Sequence, residues 1–340
     1  MIEKYIIRNE QTLKRYRKFK RNKFAVVSVF VLFFLTVASI SAELIANSRP
    51  VYLRYQGVSY FPVFKTYHPS VFGRENDYVM DYRSLQLSDT DQIIWPIVKW
   101  DPLESNKIVS EYPSPPSESN WMGTDDRGRD VFARLLYGYR YSLLYAFGVW
   151  ILSYLIGTVL GATMGYLGGI YDIVGSRIVE LVEMVPQLLL LITIISIFEP
   201  SMMLLIVISF IFDWTPMYHQ MRAQFLQLRR RDFVEASRAL GASHYRIIFK
   251  HILPNALTPL VTFSPFAIAA NISGLALLDY LGLGLRAPTP SWGELMGQGQ
   301  RYFSTAEWLV WCPALALLVT MIALINIGLS IRDAFDARTN

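Results

Sequence analysis

The chain has 340 residues, 53% of them hydrophobic and only 17% charged, against about a quarter charged in an average soluble domain. The missing charge leaves long, nearly uncharged windows, which excludes an ordinary soluble domain and marks a polytopic membrane protein. The net charge of +5 comes mostly from local basic clusters and is no argument for nucleic acid; a single cysteine, Cys312, excludes an intrachain disulfide and a thiolate metal site, and the four scattered histidines lack zinc spacing.

Residues 1–23 crowd Lys14, Arg15, Arg17, Lys18, Lys20, Arg21 and Lys23 ahead of the first apolar run. Ahead of a span, such a tail holds the N-terminus on the cytoplasmic side and meets anionic headgroups. Residues 24–45 supply the first span, whose uncharged run Phe24 to Ala42 exceeds the apolar core of a cleavable signal peptide. Residues 46–140 form the one long polar region, rich in Tyr, Pro, Asp and Trp. With the N-terminus inside, this insert lies outside, in the periplasm of a Gram-negative cell, as a small irregular cap near whose end Pro113–Pro116 forms a stiff linker. Within Trp121 to Leu143, the stripe Val131, Leu135 and Leu136 predicts an interfacial helix feeding the second span. Asp125, Asp126 and Asp130 have no His, Ser or Cys partner for catalysis, and no Gly-Lys-Ser/Thr follows to make a phosphate loop.

The second span, about 141–164, carries Gly157, Gly161 and Gly165 at four-residue spacing, a ridge that permits close helix packing. The third, about 178–198, has Glu180 and Glu183 near its inner end and a kink candidate at Pro186. The fourth, about 202–221, holds Asp213 near its middle, where a carboxylate must face the bundle interior or water. Asp213 is either bonded to a neighbouring helix or lines a permeation path. Arg222 and Arg229–Arg231 follow; this second basic cluster lies four spans after the first, so both fall on the same side.

Asp232 to Pro254 is a polar island between apolar segments. Asp232 and Glu235 offer a capping box, Gly241 a stop, and Ser243 a second N-cap. Tyr245, Ile248, Phe249 and Ile252 then form an apolar stripe, and Pro254 ends the second helix. The result is a rigid helix-glycine-helix knob tethered at both ends by spans. That tether argues against a DNA-reading helix-turn-helix and leaves an ordinary loop helix or a docking element. The fifth span, about 256–278, is irregular at Pro259, Pro265 and Gly274; an outside segment, 280–306, precedes the sixth span at about 308–329, and the tail 331–340 lies inside. Asp213, Asn271 and Asp279 are the polar candidates for a translocation path.

The knob strongly resembles the EAA loop of ABC importer permeases. Glu235, Ala236, Gly241, Leu253 and Pro254 match its signature in register; Ser237 replaces the second Ala and His251 takes the Ile position. The resemblance implies that Glu235, Ala236, Ser237, Gly241, Ala242, Tyr245, Leu253 and Pro254 form a coupling element held in a cleft of the ATP-hydrolysing subunit. Gly123-Thr124-Asp125, Gly128-Arg129-Asp130, Arg134, Tyr137-Gly138, Arg140, Leu281–Leu285, Pro288–Gly293 and the closing Arg332-Asp333-Ala334 are similar to C-type permeases of the dipeptide, oligopeptide and nickel family. In the insert, Ser41–Asn47, Arg54-Tyr55, Tyr60–Pro62 and Pro113–Pro116 resemble the Yej-type subgroup, which takes up oligopeptides and, in some bacteria, the peptide antibiotic microcin C.

The implied fold is an all-α polytopic membrane protein with six transmembrane helices, the type I ABC importer permease fold, carrying a periplasmic insert between helices 1 and 2. Its core, 141–330, contains the coupling loop 222–255. The implied setting is the bacterial inner membrane, with both termini cytoplasmic. The implied partners are a B-type permease, ABC ATPase subunits or a fused two-domain ATPase, and a periplasmic peptide-binding protein. This chain would bind no cofactor and catalyse nothing, ATP and Mg being used by the ATPase. Other readings are a permease for nickel or glutathione, an ATP-independent transporter or channel, and an intramembrane enzyme using Asp213, Glu180 and Glu183.

Overall fold

The computed structural model describes residues 10–74 and 77–335. The N-terminal segment 1–23 and the tail 331–340 therefore lie partly outside the described residues. The chain divides into two compact units, one of residues 1–32, 143–275 and 319–340, the other of residues 33–142 and 276–318.

Helix α1, Glu10–Arg21, buries only Leu13, and α2, Lys23–Ile40, is the first apolar helix long enough to span. A short helix α3, Ala42–Ile45, leads into the insert. There β1 (Tyr52–Tyr55) lies between β2 (Val58–Tyr60) and β3 (Gln92–Ile94) in an antiparallel sheet, with Leu53 opposite both Tyr60 and Ile93. The irregular cap expected here thus contains a small sheet. Its hairpin turns at Gln56 and Gly57, both at positive φ (51° and 81°), the geometry that matches strand twist in a two-residue turn. Phe72 makes edge contacts with Tyr55, Tyr60 and Tyr82 at ring-centroid distances of 5.7, 5.1 and 5.5 Å. Leu53, Phe72 and Tyr82 form the buried core of this part, with Tyr55, Tyr60 and Tyr67 packed against it.

Helix α4, Val131–Leu167, has 37 residues and a length of roughly 56 Å. The helix expected to feed the second span is present, and it is continuous with that span. Thr124 pairs with Asp130 in a β-bridge, and from Val131 the helix runs without interruption into the span. No proline falls inside it to break it.

Helices α5 (Gly169–Met184) and α6 (Gln187–Ile197) are bent by 66° at Val185-Pro186. The kink at Pro186 is as expected, but the helical segment begins at Gly169 rather than near Ile178. Helices α7 (Met202–Asp213) and α8 (Thr215–Leu228) make one span that continues past the expected end at Met221. Arg222 is accommodated because its Nε and Nη2 donate to the Asp172 carboxylate at 2.5 and 2.7 Å. The glycine ridge of α4 lies against α8: a Cβ on Gly157 would stand 2.5 Å from Trp214 O, and one on Gly165 2.6 Å from Arg222 O.

The coupling loop supplies α9 (Asp232–Ala239), α10 (His244–Arg246), a π-helical turn at Ile247–Ile252 and α11 (Leu253–Ala256). Helices α12 (Thr258–Tyr280), α13 (Trp292–Arg301) and α14 (Trp308–Phe335) complete the chain. Among the described residues, five helices are long and apolar enough to cross a membrane, or six spans if the bent pair α5–α6 is one. In the first unit the Arg15 guanidinium lies 4.1 Å from the centroid of the Phe335 ring, so the described ends of the chain meet.

Candidate functional site

The coupling loop is built by local chemistry at Gly241. At φ +77° this residue takes a conformation costly for any side-chain-bearing residue. Gly241 N–H donates to Arg238 O at 3.0 Å and Ala242 N–H to Ser237 O at 3.1 Å, the paired bonds of a Schellman stop. Ser237 takes part through its carbonyl, so a serine in place of the signature alanine leaves the turn intact. Ser243 then caps the next helix, its Oγ accepting from Arg246 N at 3.3 Å.

Two expectations for this loop are corrected. Asp232 is not the N-cap: Arg231 holds that place in an extended conformation, with no side-chain bond, and Asp232 is the first helical residue. Asp232 and Glu235 still favour the helix, because negative charge in the first turn opposes its dipole. Pro254 does not end the second helix. Leu253 N–H reaches back five residues to Ile248 O, so the turn before the proline is already widened, and α11 carries Pro254 in its first turn, where no N–H is required. Asn255 Nδ2 donates to His251 O at 2.7 Å and satisfies a carbonyl in this stretch.

The wide turn also divides the expected stripe. Ile247 and Ile252, five residues apart, are both fully buried, with Val234 and Ala256, in a core cluster that includes Met217, Met221 and Phe225 of α8. Tyr245 and Phe249 point away, their ring centroids 4.5 Å apart. Tyr245 is 72% exposed and Leu240 89%, and Phe233, Glu235, Ala236, Gly241 and Pro254 are exposed as well. Ser237, Ala242 and Leu253 are half-buried. One face of the loop is therefore fixed to the spans, and the other offers an aromatic and aliphatic ridge. Tyr166, at the end of α4, fastens the loop further: its hydroxyl is 2.7 Å from His244 Nδ1, and its carbonyl accepts from Arg229 Nη1 at 3.1 Å. The sequence carries no local signal for Tyr166 and Arg229, since their partners lie far along the chain.

Of the polar candidates for the translocation path, two converge. Asp213 and Asn271 line a cavity of about 370 Å³ in the first unit, together with Trp150, Ser153, Phe263 and Phe266. Asn271 Nδ2 donates to Ala146 O at 3.3 Å. Asp279 is elsewhere and fully engaged: Leu285 N donates to its Oδ1 at 2.7 Å and Ser291 Oγ to its Oδ2 at 2.5 Å. It staples the 280–291 turn.

The acidic residues before α4 are also structural. Arg129 Nε meets Asp125 Oδ2 at 2.6 Å and its Nη2 meets Glu294 Oε1 at 3.2 Å, while Arg134 pairs with the other Glu294 oxygen. These buried charges bind α13 to the start of α4. Trp292 adds a stacked contact with Tyr139 and an Nε1 bond to Leu135 O at 2.9 Å.

Residues 157–340 match the family model described as binding-protein-dependent transport system inner membrane component. The chain belongs to this family. A second model, the N-terminal transmembrane domain of oligopeptide transport permease C, matches residues 14–62. The inner membrane ABC transporter permease protein YejE of Escherichia coli K12 is 37% identical over 327 residues, 95% of this chain and 96% of the relative. The peptidoglycan transport system permease protein YejE of Agrobacterium fabrum is 32% identical over 355 residues, 96% and 93% of the two chains. The oligopeptide transport system permease protein OppC of Bacillus subtilis is 35% identical over 224 residues, 66% and 73% of the two. The family match contains the whole coupling loop, Asp213 and Asn271. With the helix composition above, it makes this a predominantly helical multi-pass membrane protein of the type I ABC permease fold, the small sheet of the insert being the exception to the all-α expectation.

Proposed function

We propose that this chain is the C-type permease subunit of an ATP-driven peptide importer in the bacterial inner membrane. The observation that carries the reading is the two-faced coupling loop: Ile247 and Ile252 are buried against the spans, while Leu240, Tyr245 and Phe249 stand exposed. A rigid ridge of this kind is what a nucleotide-binding subunit needs in order to push on a helix bundle. The motion it transmits is a rigid-body shift of spans whose packing has discrete arrangements. The basic residues at 14–23 and 229–231 favour the cytoplasmic side for the loop. The contact of Arg15 with Phe335 supports both termini sharing that side.

Peptides are proposed as cargo because the relatives named above include an oligopeptide permease. The partners are a second permease, ABC ATPase subunits or a fused ATPase, and a periplasmic peptide-binding protein docking near the insert. ATP and Mg belong to the ATPase; this chain contributes no catalytic residue and moves the barrier, not the phosphate.

Affinity purification of the tagged chain from native membranes, followed by ATP-dependent uptake of a short peptide panel in proteoliposomes, tests the reading. The expected result is recovery of an ATPase with wild-type chain and its loss with Leu240→Asp at unchanged membrane level. Peptide uptake that proceeds without ATP, or an ATPase retained by Leu240→Asp and Tyr245→Asp alike, contradicts it.

A further inference from the structure

The cavity beside Asp213 is charged in one sense only. Its lining contains a carboxylate but no Lys, Arg or His, and among the described residues no hydrogen bond reaches the Asp213 side chain. Charges within spans pair with an opposite charge, coordinate an ion or face water. Ser153 provides a second unsatisfied group: the residue is 2% exposed and its hydroxyl has no partner among the described residues. The remaining walls are mainly apolar, with the rings of Trp150, Tyr154, Phe263 and Phe266, and carry two amides, Gln220 and Asn271. Aromatic faces attract cations most strongly where water is excluded. An inorganic ion takes a closed shell of about six or more oxygens, whereas most of this lining is ring and aliphatic surface. A space of about 370 Å³ holds an organic group of several heavy atoms, not merely a bare ion.

We propose that this cavity is a subsite for a primary ammonium group, namely the free amino terminus of the transported peptide, held by Asp213, Ser153 and the Trp150 ring during passage. This rests on the peptide-permease reading above and adds to it a chemical requirement imposed by the membrane subunit itself, apart from any selection by the binding protein.

The test compares uptake of trialanine and N-acetyl-trialanine by proteoliposomes containing the whole assembly. Asp213→Asn is expected to lower trialanine uptake about tenfold or more, the scale of losing one charge-paired contact. It should also lower the ratio of trialanine to N-acetyl-trialanine uptake relative to wild type, leaving only the preference set by the binding protein, and Asp213→Glu should restore part of both. Trp150→Leu should give the same selective loss and serves if Asp213→Asn does not assemble. Trialanine uptake at the wild-type rate in Asp213→Asn, or an equal loss for the two peptides, overturns the subsite and leaves the permease reading standing. A wild-type assembly that imports no member of a wider peptide panel overturns the permease reading itself.

Discussion

Tyr166 and His244, 78 residues apart in sequence, are hydrogen-bonded at 2.7 Å with their rings edge to face. One closes the second span and the other opens the second half of the coupling loop. Movement of the loop must therefore move α4 or break this contact.

Replacing Tyr166 with Phe keeps the ring packing and removes the bond. A single bond of this kind contributes about 1 kcal/mol, or roughly fivefold in an equilibrium. The expected outcome is normal recovery of the ATPase with the membrane chain and a two- to fivefold lower ratio of peptide transported to ATP hydrolysed, on the same estimate. Measuring both rates in one preparation checks it; an unchanged ratio would show that the contact transmits nothing.

At Gly241 the argument is conformational, because a Cβ there would meet no atom within 4 Å. Any loss on substitution comes from the left-handed backbone, about 1–2 kcal/mol for an ordinary residue and less for Asn. Asn, Ala and Val at this position should impair ATPase association in that order, with all three chains remaining in the membrane. Pull-down of the ATPase against each variant gives the ranking, and an Asn variant as defective as Val would rule out the backbone explanation.

The local parts of this design were legible in the residues themselves. Gly241 and Ser243 signal a stop and a cap through their own chemistry, and Pro186 signals a kink. What escaped depended on distant partners. The π-helical turn exists because Ile247 and Ile252 both find the same pocket beneath the loop. The union of α4 into one long helix reflects the anchoring of Arg134 and Trp292 partners at its start, invisible from 131–143 alone. The hairpin turn at Gln56-Gly57 lacks the usual Asn-Gly or Asp-Gly signature. Asp213 was recognisable as an expensive carboxylate, but its convergence with Trp150, Ser153 and Asn271 requires three helices to be in place.

The glycine ridge of α4 makes a paired prediction. Gly157→Ala would force a Cβ to within 2.5 Å of Trp214 O and 2.9 Å of the Met217 side chain, whereas Gly274, in α12, has nothing within 4 Å of its added Cβ. Overpacking of the first kind costs about 1–3 kcal/mol, while alanine in an open helical site gains up to about 1 kcal/mol. The thermal midpoint of the detergent-solubilised chain should fall for Gly157→Ala and hold or rise for Gly274→Ala. Equal shifts in the two would mean that helix propensity, not close packing, governs this part of the bundle.

Asp130 gives a prediction in pH. Its Oδ1 caps α4 by accepting from Ala133 N at 2.8 Å, and its Oδ2 accepts from Asn120 Nδ2 at 2.8 Å. Burial nevertheless pushes its pKa above the ordinary 3.8, opposed by those bonds and reinforced by the nearby Asp125 charge. A raised value means that the folded protein keeps this proton when the unfolded chain has lost it. The associated stability is therefore complete below about pH 3.8 and is lost as pH rises through the raised pKa. Asp130→Asn removes that titration. Its amide nitrogen must also face the donor Nδ2 of Asn120, whose Oδ1 is held by Asn106 at 2.6 Å, so the variant starts less stable. The difference in thermal midpoint between wild type and Asp130→Asn should therefore be largest in acid and shrink toward neutral pH. Asp126, also raised by burial, titrates in both proteins and leaves the difference unaffected to first order. Midpoints measured at half-unit intervals from pH 4 to pH 8 in one detergent would reveal the trend, and a difference that widens with pH would reverse the sign assigned to this carboxylate.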